Sequence, residues 1–420
     1  MIAKIYPSVC KGEIRIPTSK SMSHRAIICA ALSSGQSRIS DISYSEDIKA
    51  TIEGMIKLGA DIKCYEDHII VKGISRFHKL KDNQIYSKES GSTLRFLIPI
   101  FSLIDDEIIF CGAQRLFERP QKVYEDIFNG QNLFYEHNKD SIVINGKIHP
   151  GSYCVDGSIS SQFISGLLFV LPLLDGDSKI IIKEPYESKS YVGLTIQMLG
   201  RFGIKIEENK NTIIIKGGQK YKATDYAVEG DYSQFAFWAV LGAINNDLKC
   251  IGLNIDSHQG DRAIIEILKD FGCEIETIEN GHIIKKSILH PADIDLKDCP
   301  DLGPILEILM MYTNGRSRIY NAERLRYKES DRTSAMEEEL KKCGADVRST
   351  SSEIIINGKA RYACDIELDG HNDHRIVMSL CIAATMFDRP VIITGAESIN
   401  KSYPRFFEDL KKVGIKVELC

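Results

Sequence analysis

Residues Arg324 to Arg332 read Arg-Leu-Arg-Tyr-Lys-Glu-Ser-Asp-Arg and place four cations and two carboxylates within nine positions. An amphipathic run follows, Thr333 to Leu340, which reads as a helix ending at Gly344. With Ser330 as N-cap, Arg332 falls in the first helical turn. The helix dipole is positive there and favours acids by about 0.3 to 1 kcal/mol. A cation at such a position is tolerated more easily when an anion from outside the chain sits between it and the free backbone N–H groups. The stretch therefore reads as an anion site, against the simpler alternative of a solvated charged loop.

Three further helix starts carry the same conflict. Lys20 and Arg25 flank the serines of Pro17-Thr-Ser-Lys-Ser-Met-Ser-His-Arg25, ahead of the apolar run Ala26 to Leu32. Ser90-Gly-Ser-Thr-Leu-Arg95 leads into Phe96 to Ile104, and His371-Asn-Asp-His-Arg375 opens a helix through Ala384 that Asp373 can cap. Local rules broken repeatedly in one direction mark a functional site. Hydroxyls and an amide crowd another helix start at Asp156-Gly-Ser-Ile-Ser-Ser-Gln162, which suits a phosphate held by neutral donors. Glu187-Ser-Lys-Ser-Tyr191, Arg119-Pro-Gln-Lys122 and Lys401-Ser-Tyr-Pro404 precede further helices, with Pro120 expected near an N1 position.

Proton chemistry beside such sites needs groups that hold and release protons. Asp301 and Glu329 lie at turns near Lys and Arg, where charge can tune them. Asp301 can equally cap a helix over Leu302 to Tyr312. Lys20 is the best placed lysine, and His24 and His374 are either bases or structural hydrogen-bonders. The chain contains no phosphate-binding Gly-x-x-x-x-Gly-Lys-Ser/Thr loop, no dinucleotide fingerprint and no Ser-His-Asp order. No residue pattern asks for a cofactor or a metal.

The chain has 420 residues, 43% of them hydrophobic, and a net charge of −5. That suffices for two or three domains with real cores. A mildly acidic chain is a poor nucleic-acid binder, so its cations act locally. The 12 cysteines show no Cys-x-x-Cys pair or metal-ligand spacing and read as reduced thiols of a cytosolic protein. The first residues have no leader character, and the longest apolar run, Phe163 to Leu174, is too short to span a bilayer.

An internal repeat sets the architecture. Lys57-Leu-Gly-Ala-Asp-Ile62, Arg201-Phe-Gly-Ile-Lys-Ile206, Asp270-Phe-Gly-Cys-Glu-Ile275 and Lys342-Cys-Gly-Ala-Asp-Val347 are each followed by a second apolar strand. A weaker copy spans Gly130 to Gly146, and Lys412-Val-Gly-Ile-Lys-Val417 closes the chain. Each reads as helix, Gly C-cap, strand, turn, strand, recurring about every 70 residues. Two compact groups of three are expected, with crossings near Ile14 to Ser19 and Ala227 to Asp231: residues 1–14 plus 230–420, and residues 15–229.

Taken in order, Pro17 to Arg25, Ser90 to Arg95, Arg119-Pro120, Ser160-Ser-Gln162, Glu229-Gly-Asp-Tyr-Ser233, Arg326 to Arg332, Asp373-His-Arg375 and Lys401 to Pro404 resemble the motif series of the 5-enolpyruvylshikimate-3-phosphate synthase family across nearly the whole chain. The resemblance implies an α/β (α+β) fold of two similar domains, each of three βαβαββ units, with ligands in the interdomain cleft. It implies transfer of the enolpyruvyl group of phosphoenolpyruvate to the 5-hydroxyl of shikimate 3-phosphate, by a cytoplasmic, monomeric enzyme without cofactor. On this basis Lys20, Gly91, Arg119, Gln162, Arg332, Arg375 and Lys401 are expected to hold phosphoenolpyruvate. Ser21, Arg25, Ser160, Ser161, Gln162, Ser188, Asp301 and Lys328 are expected to hold shikimate 3-phosphate. Asp301 would act as base on the attacking hydroxyl, and Glu329 and Lys20 would handle the methylene proton.

The chain departs from the family pattern at Glu89, where a neutral Asn is common, at Gln121 after Arg-Pro, and at Arg324. Two rival readings stand beside the first. The sister family that uses UDP-N-acetylglucosamine shares the fold and would be favoured by a reactive loop cysteine, for which Cys111 is the candidate. A noncatalytic anion-binding protein would keep the cations without needing Lys20, Asp301 and Glu329 together.

Overall fold

The computed structural model describes residues 1–362 and 366–420. The chain divides into two compact units, Lys20–Val228 and Met1–Ser19 with Glu229–Cys420. Each has its own apolar core, one built from residues between Met22 and Val228, the other from Ala3 to Ile16 together with Tyr232 to Val417.

Among the described residues the repeat becomes six four-stranded sheets. In five of them an edge strand runs parallel to its neighbour, and that neighbour is antiparallel to the second strand of the repeat hairpin; in the sixth, Val391–Thr394 is antiparallel instead to Ala3–Ile5, which takes the place of that second strand. Gln84–Tyr86, Glu107–Cys111, Ser141–Asn145 and Phe134–His137 form one such sheet, with Phe110 opposite Ile142 and Ile108 opposite Ile144. The buried residues alternate along Glu107–Cys111, Ser178–Lys183 and Val391–Thr394, so one face of each sheet packs inward. Two sheets are completed by distant chain. Tyr226–Ala227 pairs with Gln36–Ser40, closing the unit 20–228 on itself. Ala3–Ile5 lies between Val391–Thr394 and Val417–Leu419, and Glu13–Arg15 joins Leu248–Ile251.

Each unit packs its most apolar helices against one another. Lys20–Leu32, Gly91–Phe101 and Ser161–Val170 are buried almost throughout in one unit, as are Tyr232–Ile244, Gly303–Met311 and His374–Ala384 in the other. A helix apolar all round belongs in a core. Amphipathic helices such as Glu46–Leu58 and Arg332–Lys342 pack beside them. The helices end at left-handed glycines, Gly59, Gly203, Gly272, Gly344 and Gly414. In the weaker copy this position falls to Asn132, because the helix runs through Gly130 and turns two residues later.

Three local expectations are corrected. The cap of Arg332–Lys342 is Asp331, whose carboxylate accepts from Ser334 N, and not Ser330. Pro120 precedes the N-cap Gln121 and is not at N1. Asp301 is not the N-cap of Gly303–Met311, a position taken by Leu302: it sits in a short turn of 3₁₀ helix, Pro300–Leu302, and its carboxylate is bound by cations.

Candidate active site

Lys20, Gly91, Ser160, Ser161 and Arg375 sit at the starts of these buried helices, where backbone N–H groups are unsatisfied. In the unit 20–228, Lys20 opens its helix and its ammonium lies 2.8 Å from Asp47 Oδ2. Asp47 belongs to the neighbouring helix, and its carbonyl accepts from Thr93 Oγ1, which also bonds the cap Ser90. Gly91 follows. A Cβ there would stand 2.9 Å from Arg119 Nη1 and 3.4 Å from Gln162 Oε1, so a side chain at this position would push the ends of those two side chains aside. Arg95 ties the cluster together: it donates to Gln162 Oε1 at 2.9 Å, Ser160 Oγ at 3.4 Å and Pro120 O at 3.0 Å, and lies over the Phe163 ring.

Arg25 anchors a second cluster of the same unit. Its guanidinium donates to Thr195 Oγ1, Ser21 O and Tyr191 O at 2.7 to 2.9 Å and stacks over Phe96. Tyr191 N bonds Ser188 O, and Ser188 is buried with φ 50°, a left-handed conformation that a serine adopts at a cost of about 1–3 kcal/mol. Ser160 caps the helix that Ser161 and Gln162 begin.

In the other unit, Asp301 is the hub. Lys328 Nζ at 3.0 Å and Arg332 Nη1 at 3.2 Å share its Oδ1, and Arg375 reaches Oδ2 at 3.0 Å and the Asp301 carbonyl at 2.9 Å. Arg332, 1% exposed, also grips Asp373 through Nε at 2.8 Å and Nη2 at 3.2 Å, while Asp373 caps Arg375 N. Glu329 Oε2 lies 2.7 Å from His374 Nδ1, and Lys401 Nζ donates to Asn372 O at 2.5 Å.

Charge follows from this packing. Burial opposes ionisation of Asp301, but Arg375, Lys328 and Arg332 outweigh it and hold the carboxyl well below the usual range. Burial pushes Lys328 down to about 8, helped by Arg324 and Arg332 against the pull of Asp301. Arg332 is buried too, yet Asp373, Asp301 and Glu329 raise its proton affinity, so it stays charged. Burial drives His24 well below its ordinary value, reinforced by Lys20 and Arg25. It is a neutral ring bonded to Thr51 Oγ1 at 2.7 Å, which fits the structural rather than the basic role.

Within each unit several of the expected residues fall into local clusters, and two of them already have protein partners. Arg332 faces carboxylates on three of its nitrogens, so its charge toward any anion is shared with Asp301 and Asp373. Gln162 is engaged on both sides, its Nε2 donating to Ser92 Oγ at 2.9 Å. Sequence reading missed Asp47 as partner of Lys20, because Ser45-Glu-Asp47 looks like an ordinary capped helix start. It gave Asp373 only a cap, and gave Arg95 no ligand role. Asp261 had no role either, although it is buried, bonded to Ser233 Oγ and pushed up to about 6 by burial and by Asp301.

Two groupings have metal-ligand geometry among the described residues, Glu329 with Asp373 and His374, and Glu338 with Glu339 and His371. A protein cation already sits in each: Arg332 Nε lies 2.8 Å from Asp373 and Lys342 Nζ 2.7 Å from Glu339. No helix among the described residues is long and apolar enough to cross a membrane.

Residues 6–410 match the family described as EPSP synthase (3-phosphoshikimate 1-carboxyvinyltransferase). The chain is 46% identical over 417 residues to the 3-phosphoshikimate 1-carboxyvinyltransferase of Clostridium kluyveri, covering 99% of this chain and 97% of that one. It is 44% identical to the Clostridioides difficile protein of the same name, with 99% and 98% covered. Among solved structures, EPSP synthase from Acinetobacter baumannii superposes with a TM-score of 0.82 at 26% identity over the full length of both chains. The enolpyruvyl transferase NikO from Streptomyces tendae, 15% identical with a TM-score of 0.81 over 99% of this chain and 98% of that one, shares the fold. With its motif series in place and a family match over nearly its whole length, the chain belongs to the EPSP synthase family.

Proposed function

We propose that this protein transfers the enolpyruvyl group of phosphoenolpyruvate to the 5-hydroxyl of shikimate 3-phosphate, releasing phosphate through a tetrahedral intermediate. The observation that carries the chemistry is Asp301, a carboxylate on which Lys328, Arg332 and Arg375 converge. Both substrates bear a phosphate and a carboxylate, which accounts for the cations at so many helix starts. Lys20, Gly91, Arg119, Gln162, Arg332, Arg375 and Lys401 hold phosphoenolpyruvate in this reading. Ser21, Arg25, Ser160, Ser161, Gln162, Ser188, Asp301 and Lys328 hold shikimate 3-phosphate.

Asp301 takes the proton of the attacking hydroxyl. Its three cations by themselves make it a weak base. Anions that compete for those cations raise its proton affinity, so its basicity appears when the substrates are in place. Glu329, oriented by His374, and Lys20, oriented by Asp47, add and remove the methylene proton. Fixed cations around the tetrahedral intermediate supply electrostatic stabilisation without reorganising. The protein works in the cytoplasm, as a monomer and without cofactor.

The sister reaction on UDP-N-acetylglucosamine is disfavoured by the family match and by Cys111. That thiol ends the strand Glu107–Cys111, and burial, followed by the charge of Asp140, raises its proton affinity instead of activating it. The test is phosphate release from phosphoenolpyruvate with shikimate 3-phosphate and UDP-N-acetylglucosamine as parallel acceptors. Turnover is expected with the first alone, and Asp301→Asn should lower kcat about 100-fold or more. Release with the nucleotide sugar alone would move the reaction to the sister class. Silence with both would leave an anion-binding protein.

A further inference from the structure

The turn ahead of the helix His374–Ala384 is held in an unusual conformation by a residue the reaction does not use. His371 and Asn372 both lie in the left-handed region, with φ 48° and 51°, and Asp373 N closes the turn onto Gly370 O at 2.8 Å. Two successive left-handed positions are ordinarily filled by glycine, asparagine or aspartate. A histidine there needs an outside hold. Gly370 is packed too closely to carry a side chain, since a Cβ at that position would stand 2.3 Å from Val377 Cγ2 and 2.6 Å from Thr394 O.

The hold comes from Glu339, whose side chain is fully buried on the helix Arg332–Lys342. Its Oε1 accepts from His371 Nε2 at 2.9 Å and from Lys342 Nζ at 2.7 Å, and its Oε2 accepts from Asp369 N at 3.0 Å. Arg332 and Glu339 stand two helical turns apart, on one face. One helix thus grips the segment 369–373 twice, by Arg332 on Asp373 and by Glu339 on His371. Between the two grips lies Asn372, whose carbonyl receives Lys401 Nζ.

We propose that Glu339 and His371 are a positioning pair that holds the Gly370–Asp373 turn, and through it Lys401 and Arg375, in the geometry that receives phosphoenolpyruvate. This rests on the assignment of Lys401 to that substrate. The pair is also tuned by charge. The bond to Glu339 raises the proton affinity of His371, with burial opposing and Asp369 and Glu338 adding to it, while Lys342 faces both Glu338 and Glu339. The ionic form of the pair is therefore present at low pH and is lost as pH rises through the raised His371 value.

His371→Asn is the decisive variant, because asparagine tolerates the left-handed backbone but is too short to reach Glu339. Its KM for phosphoenolpyruvate should rise about fivefold to tenfold near pH 6, with kcat and the KM for shikimate 3-phosphate within about twofold of wild type. The gap to wild type should narrow as pH rises through the raised His371 value, where wild type loses the charged link. Glu339→Gln should shift the same KM in the same direction. General destabilisation would instead lower the active fraction, cutting kcat and leaving both KM values unchanged. An unchanged KM for phosphoenolpyruvate in His371→Asn, a gap that does not vary with pH, or equal losses for both substrates would each overturn the proposal. Lys401→Met separates the two readings. If it weakens phosphoenolpyruvate and His371→Asn does not, the positioning pair fails and the assignment stands; if Lys401→Met has no effect, the assignment fails and takes the pair with it.

Discussion

Lys328 shows how one residue carries structure and function at once. Its ammonium is paired with Asp301, yet burial and two neighbouring arginines pull its proton off at about pH 8. A ligand phosphate or hydroxyl oxygen that prefers the charged form must restore that proton above this pH. The affinity for shikimate 3-phosphate should therefore fall as pH rises above about 8, by up to about tenfold per unit. Calorimetric titration across that range checks it, and Lys328→Met should bind weakly with that fall removed. Asp301 presents the opposite case, a carboxyl whose cations keep it ionised throughout the neutral range.

At the scale of elements, the helix Gly303–Met311 stands out, because it buries Glu307 with neither carboxylate oxygen hydrogen-bonded among the described residues. Burial, and then the charge of Glu337, raises its pKa well above 4.5. The folded state thus binds this proton more tightly than the unfolded state. Its contribution to stability is greatest at low pH and is lost as pH rises from the ordinary glutamate value through the raised one. Glu307→Gln removes that dependence, and Glu307→Met removes the unsatisfied group, worth about 1–3 kcal/mol. Scanning calorimetry should find the Met variant more stable at pH 8 by about 2–4 °C or more, with the difference shrinking toward pH 5. An equal shift at both pH values would mean that Glu307 is ionised in the fold.

At the scale of the molecule, the two units differ in how the chain builds them. Residues 20–228 are continuous, carry their own core and close their last strand onto Gln36–Ser40. Expressed alone, this segment should unfold cooperatively, as measured by circular dichroism in urea. The other unit takes Ala3–Ile5 as an interior strand and Glu13–Arg15 as an edge strand from the opposite end of the sequence. Deleting residues 1–19 should therefore abolish amide protection in Val391–Thr394 and Val417–Leu419 and leave that of residues 20–228 intact. Loss of protection in both segments alike would show that they fold as one cooperative block.

The sequence by itself determined the helices, their glycine stops and the hairpins that follow, because these depend on period, capping and turn chemistry within a few residues. It also determined which helix starts carry cations, and the motif order that marks the family. It could not determine that Tyr226–Ala227 completes a sheet begined at Gln36, nor that residue 3 lies between strands near 392 and 418, since strand pairing has no local signature. The partners of the charges were equally out of reach. Asp47 on Lys20, Asp301 on three cations and Glu339 on His371 join residues 27 to 74 positions apart. Only packing decides which carboxylate meets which cation, and burial then sets whether that pair holds its charge or gives up a proton.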